Sequence, residues 1–200
     1  MIYVITIGVI GSRGKSAVAE IIQGELKKQG KDICVIGTNQ ESSEEFLKIL
    51  LEDVEYAVLA VSREDILQKK IHKIKFDILI QTALEKESYE LIEGMQNTIH
   101  NIKENGYIIF NSDSIQKINF HCDKVYPITY GLNERSTVTA SSIDDIQELR
   151  FSYCLQRTLL SIGDDVIQPF DMPMTVDGKY DDINYYLAAY TCLLILGYKF

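Results

Sequence analysis

The chain has 200 residues, 46% apolar and 24% charged, with three prolines and twelve glycines, which suits one globular domain with a sizeable core and excludes a linker-rich or disordered chain. A formal charge of -9 argues against a nucleic-acid backbone or an anionic membrane as partner, since either calls for a basic surface. Cys34, Cys122, Cys154 and Cys192 are too scattered for a zinc or redox motif. With no secretory leader and no run long enough to span a bilayer, they read as free thiols of a cytoplasmic protein.

The first apolar run, Ile2 to Ile7, predicts a strand that passes directly into Gly8-Val9-Ile10-Gly11-Ser12-Arg13-Gly14-Lys15-Ser16. A helical pattern follows from Ala17. Strand, glycine loop and helix in that order make the setting of a phosphate-binding loop. Gly11 and Gly14 let the backbone turn successive N–H groups toward phosphate oxygens, and the helix start adds unpaired donors and the positive end of its dipole. Lys15 supplies a mobile charge and Ser16 a hydroxyl for Mg²⁺. The spacing is G-x-x-G-K-S, with Val9 standing where the longer general pattern places its first glycine. Gly11, Ser12, Arg13, Gly14, Lys15 and Ser16 are therefore the candidate site for a nucleoside triphosphate.

Farther along, Ala17 to Gln29 carries a helical stripe of Val18, Ile21, Ile22 and Leu26 that Gly30 ends. Ile33 to Ile36 predicts a strand, Ser42 to Leu51 a capped helix, and Tyr56 to Val61 another strand. Arg63 to Lys75 reads as a helix or loop, Asp77 to Ile80 as a strand, Glu85 to Asn105 as a long amphipathic helix stopped by Asn105-Gly106, and Tyr107 to Phe110 as a strand. Uninterrupted apolar strands alternating with helices predict an α/β fold, a mostly parallel sheet flanked by helices, whose ligands sit at the carboxyl ends of the strands. After about Tyr126 the character changes. Thr137 to Ala140 and Leu149 to Tyr153 alternate, with a turn at Gly163-Asp164-Asp165, which predicts a small antiparallel subsheet; Asp181 to Leu196 is a closing helix stopped by Gly197.

Ile7 to Ser16 resembles the ATP-binding loop of the Mur ligases, which join amino acids to the peptidoglycan precursor, and Arg13 to Ser16 is also similar to poly-γ-glutamate and folylpolyglutamate synthases. Phe76 to Thr82 looks like the strand before that family's T-N-x-x-x-D-H segment, and Gly106 to Ser114 like its strand followed by N-x-D-D. Tyr130-Gly131-Leu132 resembles its F-G-x turn, and Gly178-Lys179-Tyr180 through Asn184 to Ala188-Ala189 its G-x-x-N-x-x-N-A-L-A-A helix. The resemblance covers nearly the whole chain. It implies a central ATPase domain that takes ATP and Mg²⁺, with Asn184 among the nucleotide-binding residues. It further implies that the family's amino- and carboxyl-terminal domains are lacking, since the chain stops at Phe200 about where the latter would begin.

Catalytic features of the resemblance are thinner. Where the family has a Mg²⁺-binding glutamate ending the third strand this chain has Ala60, and its T-N-x-x-x-D-H becomes Thr82-Ala83-Leu84-Glu85-Lys86-Glu87-Ser88. Thr139-Ala140-Ser141 stands where many members carry a modified lysine in K-A-T. Phosphoryl transfer needs carboxylates to hold its metal, yet neither the third nor the fourth strand ends in an acid. Glu64 and Asp65 after the third strand, and Glu87 after the fourth, are the acids that could reach a metal; the plainer reading makes them surface acids of first helical turns. His72, His100 and His121 show no ligand spacing. Three functions follow: a nucleotide-binding domain with a degenerate metal site and little ligation of its own, an amide-forming ligase completed by a separate polypeptide, or a non-catalytic interaction module, in each case with room for a homo-oligomer.

Overall fold

The structure is a computed structural model that describes residues 3–37, 48, 54–114, 118 and 123–198. The apolar runs read above form the parallel strands β1 (Ile5–Ile10), β2 (Ile33–Ile36), β3 (Tyr56–Ala60), β4 (Phe76–Gln81) and β5 (Ile102–Asn111), and β6 (Val125–Tyr130) is a further parallel strand that was not among them. β7 (Val138–Asp144), β8 (Leu149–Leu155) and β11 (Phe170–Val176) complete a nine-stranded sheet in the order β11-β8-β7-β6-β5-β4-β1-β3-β2, while β9 (Leu159–Leu160) and β10 (Val166–Ile167) form a separate antiparallel pair. The antiparallel strands expected near the carboxyl end extend the parallel sheet. β7 joins β6 in parallel through the single pair Tyr130 and Val138, then pairs with β8 in the opposite sense.

Residues of the parallel strands alternate between two faces, and in the central strands β1, β3 and β4 both faces are covered, which is why those runs are largely apolar. Ile7, Val9, Val58 and Ile78 pack with Val18, Ile22 and Leu26 of α1 (Lys15–Lys28) and with Leu187 and Leu194 of α4 (Ile183–Ile195). On the other face Ile10, Leu59 and Leu79 pack with Ile66 of α2 (Arg63–Leu67) and with Leu91 and Met95 of α3 (Tyr89–Thr98). Among the described residues no helix is long and apolar enough to cross a membrane.

Boundaries differ from expectation in places with clear causes. The long helix expected from Glu85 to Asn105 is confined to Tyr89–Thr98, capped by the Ser88 hydroxyl on the Leu91 N–H and followed by a 3₁₀ turn at Ile99–Asn101. Asn105 and Gly106 do not stop a helix. Asn105 is left-handed (φ 63°) inside β5, where the register with β4 shifts between Phe76 and Ile78, so the pair forms an irregularity in a strand. The region Arg63 to Lys75 resolves into α2 and a 3₁₀ turn at Lys70–Lys73. The helix expected at 42–51 lies outside the described residues apart from Lys48, as do His121 and Cys122. Cys34, Cys154 and Cys192 form no disulfide among the described residues.

At the amino-terminal edge of the sheet, buried Asp77 ties β4 to β1. One carboxylate oxygen accepts from the Thr6 N–H and hydroxyl, both at 2.8 Å, and from Lys103 Nζ at 2.8 Å, while the Tyr3 hydroxyl donates to the other. Removing the carboxylate would strand a buried N–H and a half-buried ammonium. Asp77→Ala is expected to lose about 3 kcal/mol of unfolding free energy, read by urea denaturation, with Asp77→Asn losing less.

A candidate nucleotide-binding site

β1 ends at Ile10, and the chain turns through Gly11 (φ 139°) and Gly14 (φ 87°) into α1, which begins at Lys15, two residues before the predicted start. Both glycines are required by close approach. A Cβ on Gly11 would lie 2.1 Å from Thr82 Oγ1, and one on Gly14 would lie 2.2 Å from the ring of Tyr185. The loop is stitched to the segment leaving β4: the Thr82 N–H donates to Ile10 O at 2.8 Å, the Ser12 N–H to Ala83 O at 3.0 Å, and the Glu85 N–H to Ser12 Oγ at 3.1 Å. Arg13 lies 3.7 Å from Glu85 in an exposed pair worth little.

The first bond of the helix ladder runs from the Val18 N–H to Gly14 O at 3.0 Å, so the amides of Lys15, Ser16 and Ala17 come before that ladder. No acidic side chain occupies the first turn, which leaves the positive end of the helix uncompensated. Lys15 Nζ donates to Gly11 O at 2.8 Å. Burial holds its ammonium below the ordinary lysine range; the Glu87 carboxylate acts the other way and Arg63 adds to the lowering. Loop amides, an open helix end and a partly desolvated lysine together make an anion cradle.

The expected metal ligands fare differently. Ser16 lies half-buried in the first turn of α1, as expected. Glu64 is exposed on α2 and accepts from Gln68 Nε2 at 2.7 Å, one turn along its own helix. Asp65 is buried on α2, its backbone N–H donating to the Ser62 hydroxyl at 3.0 Å. Glu87 does reach the loop, for its charge acts on Lys15, but it is ion-paired with Arg63 Nη1 at 3.0 Å. Ala60 is buried at the end of β3, and Ser88 spends its hydroxyl capping α3. Among the described residues no group of three or more His, Cys, Asp or Glu could hold a metal ion. This donor set offers Mg²⁺ one hydroxyl and a carboxylate already neutralised, so it does not fit the ion well.

Asn184, also expected to bind nucleotide, lies in the first turn of α4 beside Tyr185, whose ring covers Gly14. Its Oδ1 is shielded from solvent and has no hydrogen-bond partner among the described residues. Asn111 and Asp113 lock the neighbouring exits: Asn111 Oδ1 accepts from the Asp113 N–H at 2.8 Å, and the Asp113 carboxylate accepts from the Leu132 N–H at 2.5 Å and from Asn133 Nδ2 at 3.2 Å. Between these exits and Gln81 lies a cavity of about 430 Å³ lined also by Phe110, Thr129 and Arg135.

A family model described as the Mur ligase middle domain matches residues 9–192. The chain belongs to this family. Among its relatives are UDP-N-acetylmuramoyl-L-alanyl-D-glutamate–2,6-diaminopimelate ligases of Geobacillus thermodenitrificans, 25% identical over 170 residues that take in 69% of this chain and 35% of the relative, and of Caldanaerobacter subterraneus subsp. tengcongensis, 21% identical over 175 residues, 75% of this chain and 36% of the relative. The chain thus spans about a third of the length of the curated relatives it matches. A solved ligase of that name superposes with a TM-score of 0.75 at 15% identity, covering 98% of this chain and 44% of the other. The MurF ligase of Thermotoga maritima in complex with ADP superposes with a TM-score of 0.69 at 16% identity, covering 99% of this chain and 47% of the other. The fold of this Mur ligase middle domain is therefore one it shares with these solved ligases, as the motifs had implied.

Two residues of the site had no motif to announce them. Arg63 follows a buried parallel strand at the sheet's carboxyl edge, and that position was the available signal. Tyr185 sits among apolar helix residues and gave none.

Because Lys15 is charged against the pull of burial, it weakens the folded state. Below its lowered pKa it is protonated in both folded and unfolded chains and the full cost applies. As pH rises through that pKa toward the unfolded value, the unfolded chain binds more protons and stability is regained. Lys15→Met is expected to raise the unfolding free energy at neutral pH by about 1 kcal/mol, measured by chemical denaturation, with the advantage shrinking as pH rises through the lowered pKa.

Proposed function

We propose that this domain binds ATP or ADP at Gly11 to Ser16 and carries out little or no ligation by itself, serving peptidoglycan precursor or poly-amino-acid ligation in the cytoplasm. The observation that carries this reading is the anion cradle: a loop pinned to β4, an uncompensated helix start and a lysine half withdrawn from water in its midst. ADP in a MurF ligase of the same fold supports an adenine nucleotide as the anion. The amide and guanidinium lining of the cavity at the ends of β4 to β6 suits a polar group beyond the phosphates. Weak chemistry follows from the acids: Ala60 stands where a metal carboxylate would end β3, and Glu87 is engaged by Arg63. A ligase completed by another polypeptide would have to obtain its metal-binding carboxylates from that partner.

Titration calorimetry with Mg-ATP and Mg-ADP tests the reading. Wild-type protein should bind either nucleotide, and Lys15→Ala should weaken binding roughly tenfold or more. Absence of heat from wild-type protein at millimolar nucleotide would overturn it.

A further inference from the structure

Resting on that nucleotide reading, a second arrangement at the loop concerns how the phosphate charge is met. Three strand exits converge at the carboxyl edge of the sheet. Lys15 follows β1, Arg63 follows β3 as the first residue of α2, and Glu87 lies in the segment leaving β4. Arg63 Nη1 donates to Glu87 at 3.0 Å, with the Glu87 side chain only 12% exposed and that of Arg63 58% exposed. The carboxylate is thus seated in the wall of the site and the guanidinium stands toward solvent above it.

A nucleoside di- or triphosphate brings about three to four negative charges, which a protein offsets with side-chain cations, helix ends or a divalent ion. A divalent ion needs several oxygen ligands, and here the end of β3 offers the methyl group of Ala60 while Glu87 is taken by an arginine. Apart from the exposed Arg13–Glu85 pair, the charges acting on one another at the loop are those of Lys15, Arg63 and Glu87.

We propose that Arg63, held in place by Glu87, supplies the positive charge a metal ion would otherwise bring, so that the loop binds nucleoside polyphosphates without a divalent cation. A guanidinium carries five N–H donors in a planar fork, and Glu87 engages one terminal nitrogen. The remaining donors suit paired phosphate oxygens, a geometry that a lysine cannot reproduce. In this arrangement Glu87 is a positioning residue, and its place after β4 serves to steer Arg63 toward the phosphates bound over Lys15.

The test is calorimetric titration of ADP at fixed ionic strength, once in EDTA and once in excess Mg²⁺, with wild type, Arg63→Ala and Arg63→Lys. Wild-type affinity should agree within about threefold between the two conditions. Arg63→Ala should lose roughly tenfold or more in EDTA, with Arg63→Lys between the two; because Arg63→Lys keeps a cation beside the poorly exposed Glu87, its thermal unfolding should stay near wild type. Binding by wild type only when Mg²⁺ is present would overturn the inference and leave the nucleotide reading standing. Arg63→Ala that binds ADP in EDTA as wild type does would overturn it as well. No binding in either condition would remove both.

Discussion

The site depends on the docking of one loop onto the exit of the neighbouring strand. β1 and β4 lie side by side in parallel, and at their carboxyl ends Gly11 comes so close to Thr82 that no side chain fits between them. Three backbone donors then fasten the two segments together, from Thr82 to Ile10, from Ser12 to Ala83 and from Glu85 to the Ser12 hydroxyl. With its outer turns spent on β4, the loop has its remaining curvature fixed. The start of α1, with its unladdered amides, and Lys15 are held over the sheet edge by this contact.

The domain keeps features that lower its stability in that neighbourhood. A buried acceptor on Asn184 without a donor costs about 1–3 kcal/mol, and Lys15 is partly stripped of water beside a helix terminus that repels it. Polar groups held this way are normally relieved by a ligand, and an anion would relieve the lysine directly. Arg63 and Glu87, by contrast, are already paired with each other, although the guanidinium keeps N–H donors that Glu87 does not engage.

Much of the fold was legible because the central parallel strands are buried on both faces and so read as largely apolar runs; Ile33–Ile36 and Tyr56–Ala60 fall where the residues place them, whereas β6, with Tyr126 and Pro127 exposed, carries no such run. The glycine loop was legible because its conformation permits few other residues. Asn105-Gly106 misled, since the same left-handed signal that stops a helix also marks an irregular strand, and only the partner strand β4 distinguishes them. At the site, the lack of an acid at the end of β3 was readable from Ala60 itself, whereas the Arg63–Glu87 pair joins residues 24 apart across two strand exits and leaves no local pattern. The seating of Tyr185 on Gly14 is likewise a contact between the two ends of the chain.

β4 is clamped at both extremities, by Asp77 to Thr6 at one and by Thr82 to Ile10 at the other, each joining parts of the chain more than seventy residues apart. The loop therefore cannot acquire its shape from nearby sequence as a hairpin can. It must wait until the central pairing of β1 and β4 has closed, and long-range closures of this kind are the slow step of parallel sheets. The proposed anion site thus inherits its shape from the cooperative folding of the whole domain, with no foothold in its partly assembled forms.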